Sequence, residues 1–302
     1  MIGEDDEVHT RMSCDRMSTA LASLIESLGQ DRSLHEPRRL RERMEALDSL
    51  EVFLSDGRPI EPAIHRRTTA IHAELQSVNS RLYDALRRDI QRGAGADSLL
   101  EWVRDRPAGN GVATLPNRTG YDYRDELVSG ILRFEQPAVE CVQLESEMVA
   151  YQPTPARHIF DLIGRAALTE RDLLIDLGSG LGHVILMASI CSGANCTGIE
   201  LEPSYVDCAR KSAQSLNLNN ARFIEGDARA ADLSGGTIFY LYTPFSGAIL
   251  RDVLNSLRQQ AVSRAIRIGT FGPCTRVVAE QPWLSPIGPR ETDSVAIFRS
   301  RD

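Results

Sequence analysis

The sequence predicts an α/β chain: a helical N-terminal region, then a parallel sheet covered by helices on both faces. Three observations predict it. From Arg171 onwards, short apolar runs alternate with helical patterns. The first run ends in an acid and a glycine-rich loop, Leu173–Gly182 (LLIDLGSGLG), and the next run ends in a second acid, Glu200. Residues 1–105 carry only the three- and four-residue apolar spacings of helices.

Bulk properties narrow the class. At 302 residues, 42% of them hydrophobic, the chain can bury one large core or two modest ones. No apolar run reaches the ~18 residues of a membrane span. The start, MIGEDDEVHT, lacks the basic and apolar segments of a signal peptide, so a soluble, cytoplasmic protein without membrane partners is expected. The cysteines are Cys14, Cys141, Cys191, Cys196, Cys208 and Cys274. None forms a CxxC pair, and no His follows Cys191 and Cys196 at zinc-finger spacing, so buried thiols and no metal are expected. Net charge is −8, Lys211 is the one lysine, and no basic tail exists. This balance argues against direct nucleic-acid binding.

In chain order, Leu21, Leu24, Ile25 and Leu28 share a helical face, as do Leu40, Met44, Leu47 and Leu50. The longest pattern is Ile71, Leu75, Val78, Leu82, Leu86 and Ile90; Pro62 suits its first turn and Gly93–Gly95 ends it. These helices must pack on each other, on the following domain, or on a second subunit as a homodimer. The turn-rich stretch 106–120 reads as a linker or mobile loop, and 121–135 resumes a helical pattern. Domains are therefore expected at 1–105 (helical), 106–150 (linker or lid with a lead-in helix) and 151–302. Thr154 and Pro155 suit the cap and first turn of a helix over Ala156–Ala167. The α/β part then reads as strand Leu173–Asp176, helix Gly182–Cys191, strand Thr197–Glu200, helix Pro203–Leu216 and strand Ala221–Glu225. Strand Thr237–Tyr242, a helix around Ala248–Gln259, and strand Ala265–Thr270 follow. After a turn-rich stretch with Pro282, Pro286, Gly288 and Pro289 comes Ser294–Phe298, a late strand suited to an antiparallel hairpin at the end of the sheet.

The loop after the first strand carries the chemistry. Gly178, Gly180 and Gly182 let the backbone approach a ligand and permit positive φ, and the helix that follows aims free N–H groups at it. Glu200 can accept from both hydroxyls of a ribose, and Asp227, after the third strand, from an adenine amino group. A dinucleotide site has GxGxxG, but the third glycine position is His183. Asp176, two residues before Gly178, would repel a pyrophosphate and suits an ammonium group. S-adenosylmethionine has an ammonium there and NAD a pyrophosphate.

DLGSGLGHV, GIE and GDA resemble the first, second and third motifs of the class I S-adenosylmethionine-dependent methyltransferases. The resemblance implies a Rossmann-like seven-stranded sheet in the order 3-2-1-4-5-7-6, after the α-helical N-terminal region. More narrowly, Tyr151-Gln-Pro-Thr154, a helix, and then Leu174–Gly182 resemble the Dot-like family, which includes the non-SET histone lysine methyltransferases and many bacterial proteins. That resemblance covers about residues 150–275. It implies S-adenosyl-L-methionine as cofactor, held by Tyr151, Thr154, Asp176, Gly178, Ser179, Gly180, Glu200, Asp227 and Ala228, with Gly182 opening the helix. Two departures stand in the sequence. His183 replaces a glutamine, and Tyr240-Leu-Tyr-Thr-Pro-Phe-Ser246 replaces the Asn-rich lining of the lysine channel. The same place carries Asn-Pro-Pro-Tyr in many enzymes that methylate planar amino groups, with Tyr242 at the Asn. No counterpart of the histone enzymes' lysine-rich, DNA-gripping segment exists.

Methyl transfer from a sulfonium is an in-line displacement with a neutral leaving group, so positioning and exclusion of water matter more than a dedicated base. Tyr242, Thr243, Pro244 and Phe245 are the expected acceptor lining, with Tyr151 opposite. His158 is a candidate base or a surface histidine, and His183 a candidate cofactor contact or a packing residue. The acceptor is read as an amine, on a protein lysine or a small molecule. A small-molecule hydroxyl and a cofactor-binding regulatory protein remain alternatives.

Overall fold

The computed structural model describes residues 19–55, 61–104, 120–137 and 141–301. The N-terminus Met1–Thr10 and residues 106–119 of the expected linker lie outside these. The chain divides into two compact units, Met1–Ala85 and Leu86–Asp302.

The first unit is helical: α1 (19–30), two short 3-10 turns at Arg32–His35 and Pro37–Arg39, α2 (Leu40–Ser55) and the first part of α3 (Pro62–Gln91). The predicted faces meet in one core of Leu21, Ile25, Leu34, Ala46, Leu47, Leu50, Ile71 and Leu75. A fully buried arginine sits among them. Arg43 donates to Asn79 Oδ1 (2.6 Å) and to the carbonyls of Leu34 (2.9 Å), Glu36 (2.5 Å) and Pro37 (3.1 Å). It thereby gives donors to carbonyls of both 3-10 turns and of Glu36 between them.

The second unit contains α4 (Gly95–Arg104), α5 (Tyr123–Leu132), α6 (Ala156–Ala166), β1 (Leu173–Leu177), α7 (His183–Ser192), β2 (Asn195–Glu200), α8 (Pro203–Ser215) and β3 (Ala221–Glu225). Then come β4 (Ile238–Leu241), α9 (Gly247–Ser263), β5 (Arg267–Thr270), α10 (Cys274–Ala279), β6 (Leu284–Ile287) and β7 (Ala296–Ser300). The seven strands lie in the order β3-β2-β1-β4-β5-β7-β6. The first five are parallel, and β7 runs antiparallel to both β5 and β6. This is the order the resemblance implied, with the antiparallel end expected from the late strand. β1 and β4 are almost wholly buried because helices cover both faces. α9 packs Ile249, Leu250, Val253, Leu254 and Leu257 into one core with Ile175, Phe239 and Phe298. α7 is buried from Val184 to Cys191, as its uniformly apolar sequence requires.

α3 ends before Gly93 as expected, and α4 follows within the region read as helical. Three local readings are corrected. β6 lies in the stretch read as turns, because Pro286 is tolerated on an edge strand that needs no donor on its outer side. α10 was not anticipated from its single short turn pattern. Thr154 does not cap α6. Pro155 stands at the cap, and the Ala156 N–H is taken by Asp125 Oδ1 of α5 at 2.7 Å. Asp125 Oδ2 also accepts from Asp122 N (2.6 Å), so one carboxylate serves two helix starts. Burial holds the Asp125 carboxyl above the usual carboxylate range despite these donors.

Candidate functional site

Parallel strands bring their carboxyl ends to one edge, so Asp176, Glu200 and Asp227 converge there. A cleft of about 500 Å³ opens at that edge, a size suited to a nucleoside-scale ligand. Its lining includes Tyr151, Thr154, Asp176, Gly178, Ser179, Glu200, Asp227 and Ala228 from the expected cofactor set, and Tyr242, Thr243 and Phe245 from the expected acceptor set. Gly180 and Gly182 do not line it.

The glycines have reasons beyond a ligand. Gly178 and Ser179 donate to Ile199 O at 2.9 and 3.0 Å, which ties the loop to β2. Gly178 has φ +85°, and an added Cβ would lie 2.4 Å from Pro244 Cβ. Gly180 has φ +52°, and a Cβ there would lie 2.1 Å from the Tyr151 ring. The loop is therefore bare so that protein side chains from two other segments can close on it.

Each acid has a different environment. Glu200 accepts from Gly180 N (2.7 Å), Leu201 N (2.7 Å) and Glu202 N (2.9 Å), which fixes its carboxylate against the loop. Asp227 is met by Arg229 through the backbone N–H (2.8 Å) and the guanidinium Nε and Nη2, and this pairing holds its carboxyl below the usual range. Asp176 is 3% exposed, and burial, with the Glu200 charge second, pushes its carboxyl well up.

Residues 141–155, the end of the expected linker or lid together with the Tyr151–Thr154 segment, form a strap along the cleft. Its Cys141 and Val142 N–H groups donate to Glu202 Oε2 at 3.0 Å each. Burial alone would raise the Glu202 carboxyl, but these donors and Ser204 bring it down to about 2. Glu145 pairs with Arg229 (2.5 Å), and Glu147 Oε2 accepts from the first N–H groups of α9, Ala248 (2.8 Å) and Ile249 (3.1 Å). Val149 N donates to Pro244 O at 3.0 Å. The Tyr151 hydroxyl is 3.2 Å from His183 Nδ1, and its ring tilts against Tyr205 with centroids 5.0 Å apart. Burial raises the Tyr151 phenol and lowers His183 to about 4. His183 is thus a neutral cleft-lining residue beside Phe134, with ring centroids 4.7 Å apart.

The segment after β4 forms the opposite wall. Tyr242 stacks on Phe271 (4.8 Å, 25°), and Phe271 in turn meets His158 at 4.0 Å. His158 lies under this column, accepts from Arg157 Nε (3.1 Å), and is lowered to about 4, chiefly by burial. It is not among the lining residues, so it is placed as a buttress rather than as a base. Thr243 adopts φ +41°, an outlier for a β-branched residue. Its hydroxyl donates to Phe271 O and accepts from Cys274 N, both at 3.2 Å. This strained turn aims Tyr242 and Phe245 at the cleft.

Among the described residues the lining holds four carboxyl groups, from Asp176, Glu200, Glu202 and Asp227, and no lysine or arginine. Such a wall suits a ligand that is cationic or rich in hydroxyl and amino donors, and would repel a pyrophosphate. Among the described residues no group of His, Cys, Asp and Glu could hold a metal ion. No helix among them is long and apolar enough to cross a membrane.

Residues 174–267 match the methyltransferase domain family. The release factor glutamine methyltransferase of Vibrio cholerae serotype O1 is 36% identical over 91 residues, which are 30% of this chain and 31% of that protein. The match thus spans about a third of this curated relative. Among solved structures, an RNA methyltransferase from Salinibacter ruber in complex with S-adenosyl-L-homocysteine is 25% identical over 49% of this chain and 92% of that one, with a TM-score of 0.39. A precorrin-6y C5,15-methyltransferase from Geobacter metallireducens is 14% identical over 51% and 93%, with a TM-score of 0.38.

Proposed function

We propose that this chain, which carries a class I S-adenosylmethionine-dependent methyltransferase domain, transfers a methyl group to an amine nitrogen on a protein side chain or a small molecule. One observation carries the reading: three acids at successive strand ends share one cleft with a glycine loop, and no basic side chain among the described residues lines it. Asp176 would hold the ammonium of the cofactor, Glu200 the ribose hydroxyls and Asp227 the adenine amino group. Tyr151, Thr154, Ser179, the backbone at Gly178 and Ala228 would complete that side. When bound, S-adenosylmethionine supplies an electrophilic methyl group whose transfer leaves a neutral thioether.

Tyr242, Thr243 and Phe245 line the acceptor side. The Tyr242 ring is fixed by its stack on Phe271, so it offers a rigid aromatic wall for the stem of an amine. The strap 141–155 and this wall exclude water from the line of transfer. Neither His158 nor His183 is set to remove a proton, since burial holds both low and His158 lies outside the cleft. The acceptor nitrogen must therefore present its lone pair on arrival.

A Dot-like, lysine-directed reading is supported by the Tyr151–Thr154 segment beside the glycine loop. The curated relative acts, by its name, on a glutamine. Transfer of a tritiated methyl group into cell lysate, split into protein and small-molecule fractions, tests the proposal. Label in the protein fraction that the Glu200→Ala variant does not deposit supports a side-chain acceptor, and label in the other fraction a metabolite. No label in either, with donor binding intact, favours a cofactor-binding regulatory protein.

A further inference from the structure

The acids of the cleft are not equally satisfied. Glu200 accepts three N–H groups, Asp227 is held by Arg229, and Glu202 by the strap. Asp176 receives no hydrogen bond among the described residues, and Glu200 is the charge that acts on it. The other titratable neighbours bring no positive charge. Cys196 on β2 is a buried thiol pushed up to about 12, chiefly by burial. Tyr240 stands in register with Asp176 on β4, and burial raises its phenol. His183, which lines the same cleft from α7, is held neutral by burial. The Ser179 hydroxyl in the lining is more than nine-tenths buried and has no hydrogen-bond partner among the described residues. A carboxyl group without a donor, shielded from water and beside a like charge, favours its neutral form. A cation placed against it reverses both effects.

We propose that Asp176 carries a proton until a cationic ligand enters, and that binding of the cofactor's ammonium expels this proton to solvent. The neutral acid and the ammonium become a carboxylate–ammonium pair, and one proton passes to the buffer. The inference rests on the proposed function, because the ammonium is the cofactor's. It makes affinity pH-dependent with a definite sign. Binding strengthens as pH rises, by up to about tenfold per pH unit, until Asp176 is ionised in the free protein, and is flat above that.

Titration calorimetry of the full chain with S-adenosyl-L-homocysteine, in buffers of low and high ionisation enthalpy, counts the proton. On the low-pH, rising limb of the affinity profile the expected release approaches one proton per ligand. Asp176→Asn is expected to bind more weakly and to release none. If that variant does not fold, the dissociation constant of the wild type between about pH 5 and pH 8 carries the test. Saturable binding with no proton exchanged, a flat pH profile, or unchanged release from Asp176→Asn overturns the inference alone. Absence of any saturable binding overturns the functional reading and this inference with it.

Discussion

Glu200 does two tasks with one carboxylate, and this decides how its replacement is read. Its oxygens hold Gly180, Leu201 and Glu202 by backbone N–H groups, and it lines the cleft. Glu200→Ala is expected to weaken S-adenosyl-L-homocysteine binding by about 1.5–3 kcal/mol, the range for hydrogen bonds to a charged group. Calorimetry checks this, and near-unchanged affinity removes Glu200 from the site. Gly180→Ala tests the loop from the protein side. The added methyl meets the Tyr151 ring at 2.1 Å in a backbone of positive φ, so a loss of about 1–3 kcal/mol in stability is expected, together with weaker ligand binding. A thermal melt with and without ligand separates the two effects. Asp176, Glu200 and Asp227 were legible in the sequence because each lies within two residues of a strand's carboxyl end, in a pattern with a fixed chemical meaning. Glu202, Glu147 and Arg229 were not. They act on residues 61, 101 and 84 positions away, and no local period marks such a pairing.

Among the elements, the strap 141–155 contributes most that the sequence withheld. It has no helical or strand period, and its order comes from carboxylates that bind backbone N–H groups. Glu202 is the anchor at its start. Its carboxyl stands near 2 in the folded chain, below the ordinary glutamate value. A depressed carboxyl stabilises fully above the unfolded value, about pH 4.3, and that contribution fades as pH falls towards 2. Glu202→Gln is therefore expected to speed amide exchange at Cys141 and Val142 near neutral pH. Wild-type protein should show the same loosening only in strong acid. Equal protection in both would mean that other contacts hold the strap. The strands and helices around the sheet were readable because burial on both faces imposes continuous apolar runs. β6 escaped because an edge strand with Pro286 looks like a turn when its partner is unknown.

At the scale of the whole molecule, every residue assigned to the cleft lies in the unit Leu86–Asp302, while Met1–Ala85 has its own helical core. Arg43→Ala removes a donor from the carbonyls of Leu34, Glu36 and Pro37 and from the Asn79 side chain. A loss of at least about 2 kcal/mol is expected in the first unit, seen by chemical denaturation. Affinity for S-adenosyl-L-homocysteine should stay within about twofold, less than the tenfold that 1.4 kcal/mol represents. A large loss of affinity would show that the cleft depends on the helical unit. The central claim concerns the cleft itself, whose four acids suit a nucleoside that carries an ammonium group and reject a dinucleotide. Parallel calorimetric titrations with S-adenosyl-L-homocysteine and NAD test it most directly. Saturable one-to-one binding of the first and none of the second is predicted, and binding of NAD alone would contradict it.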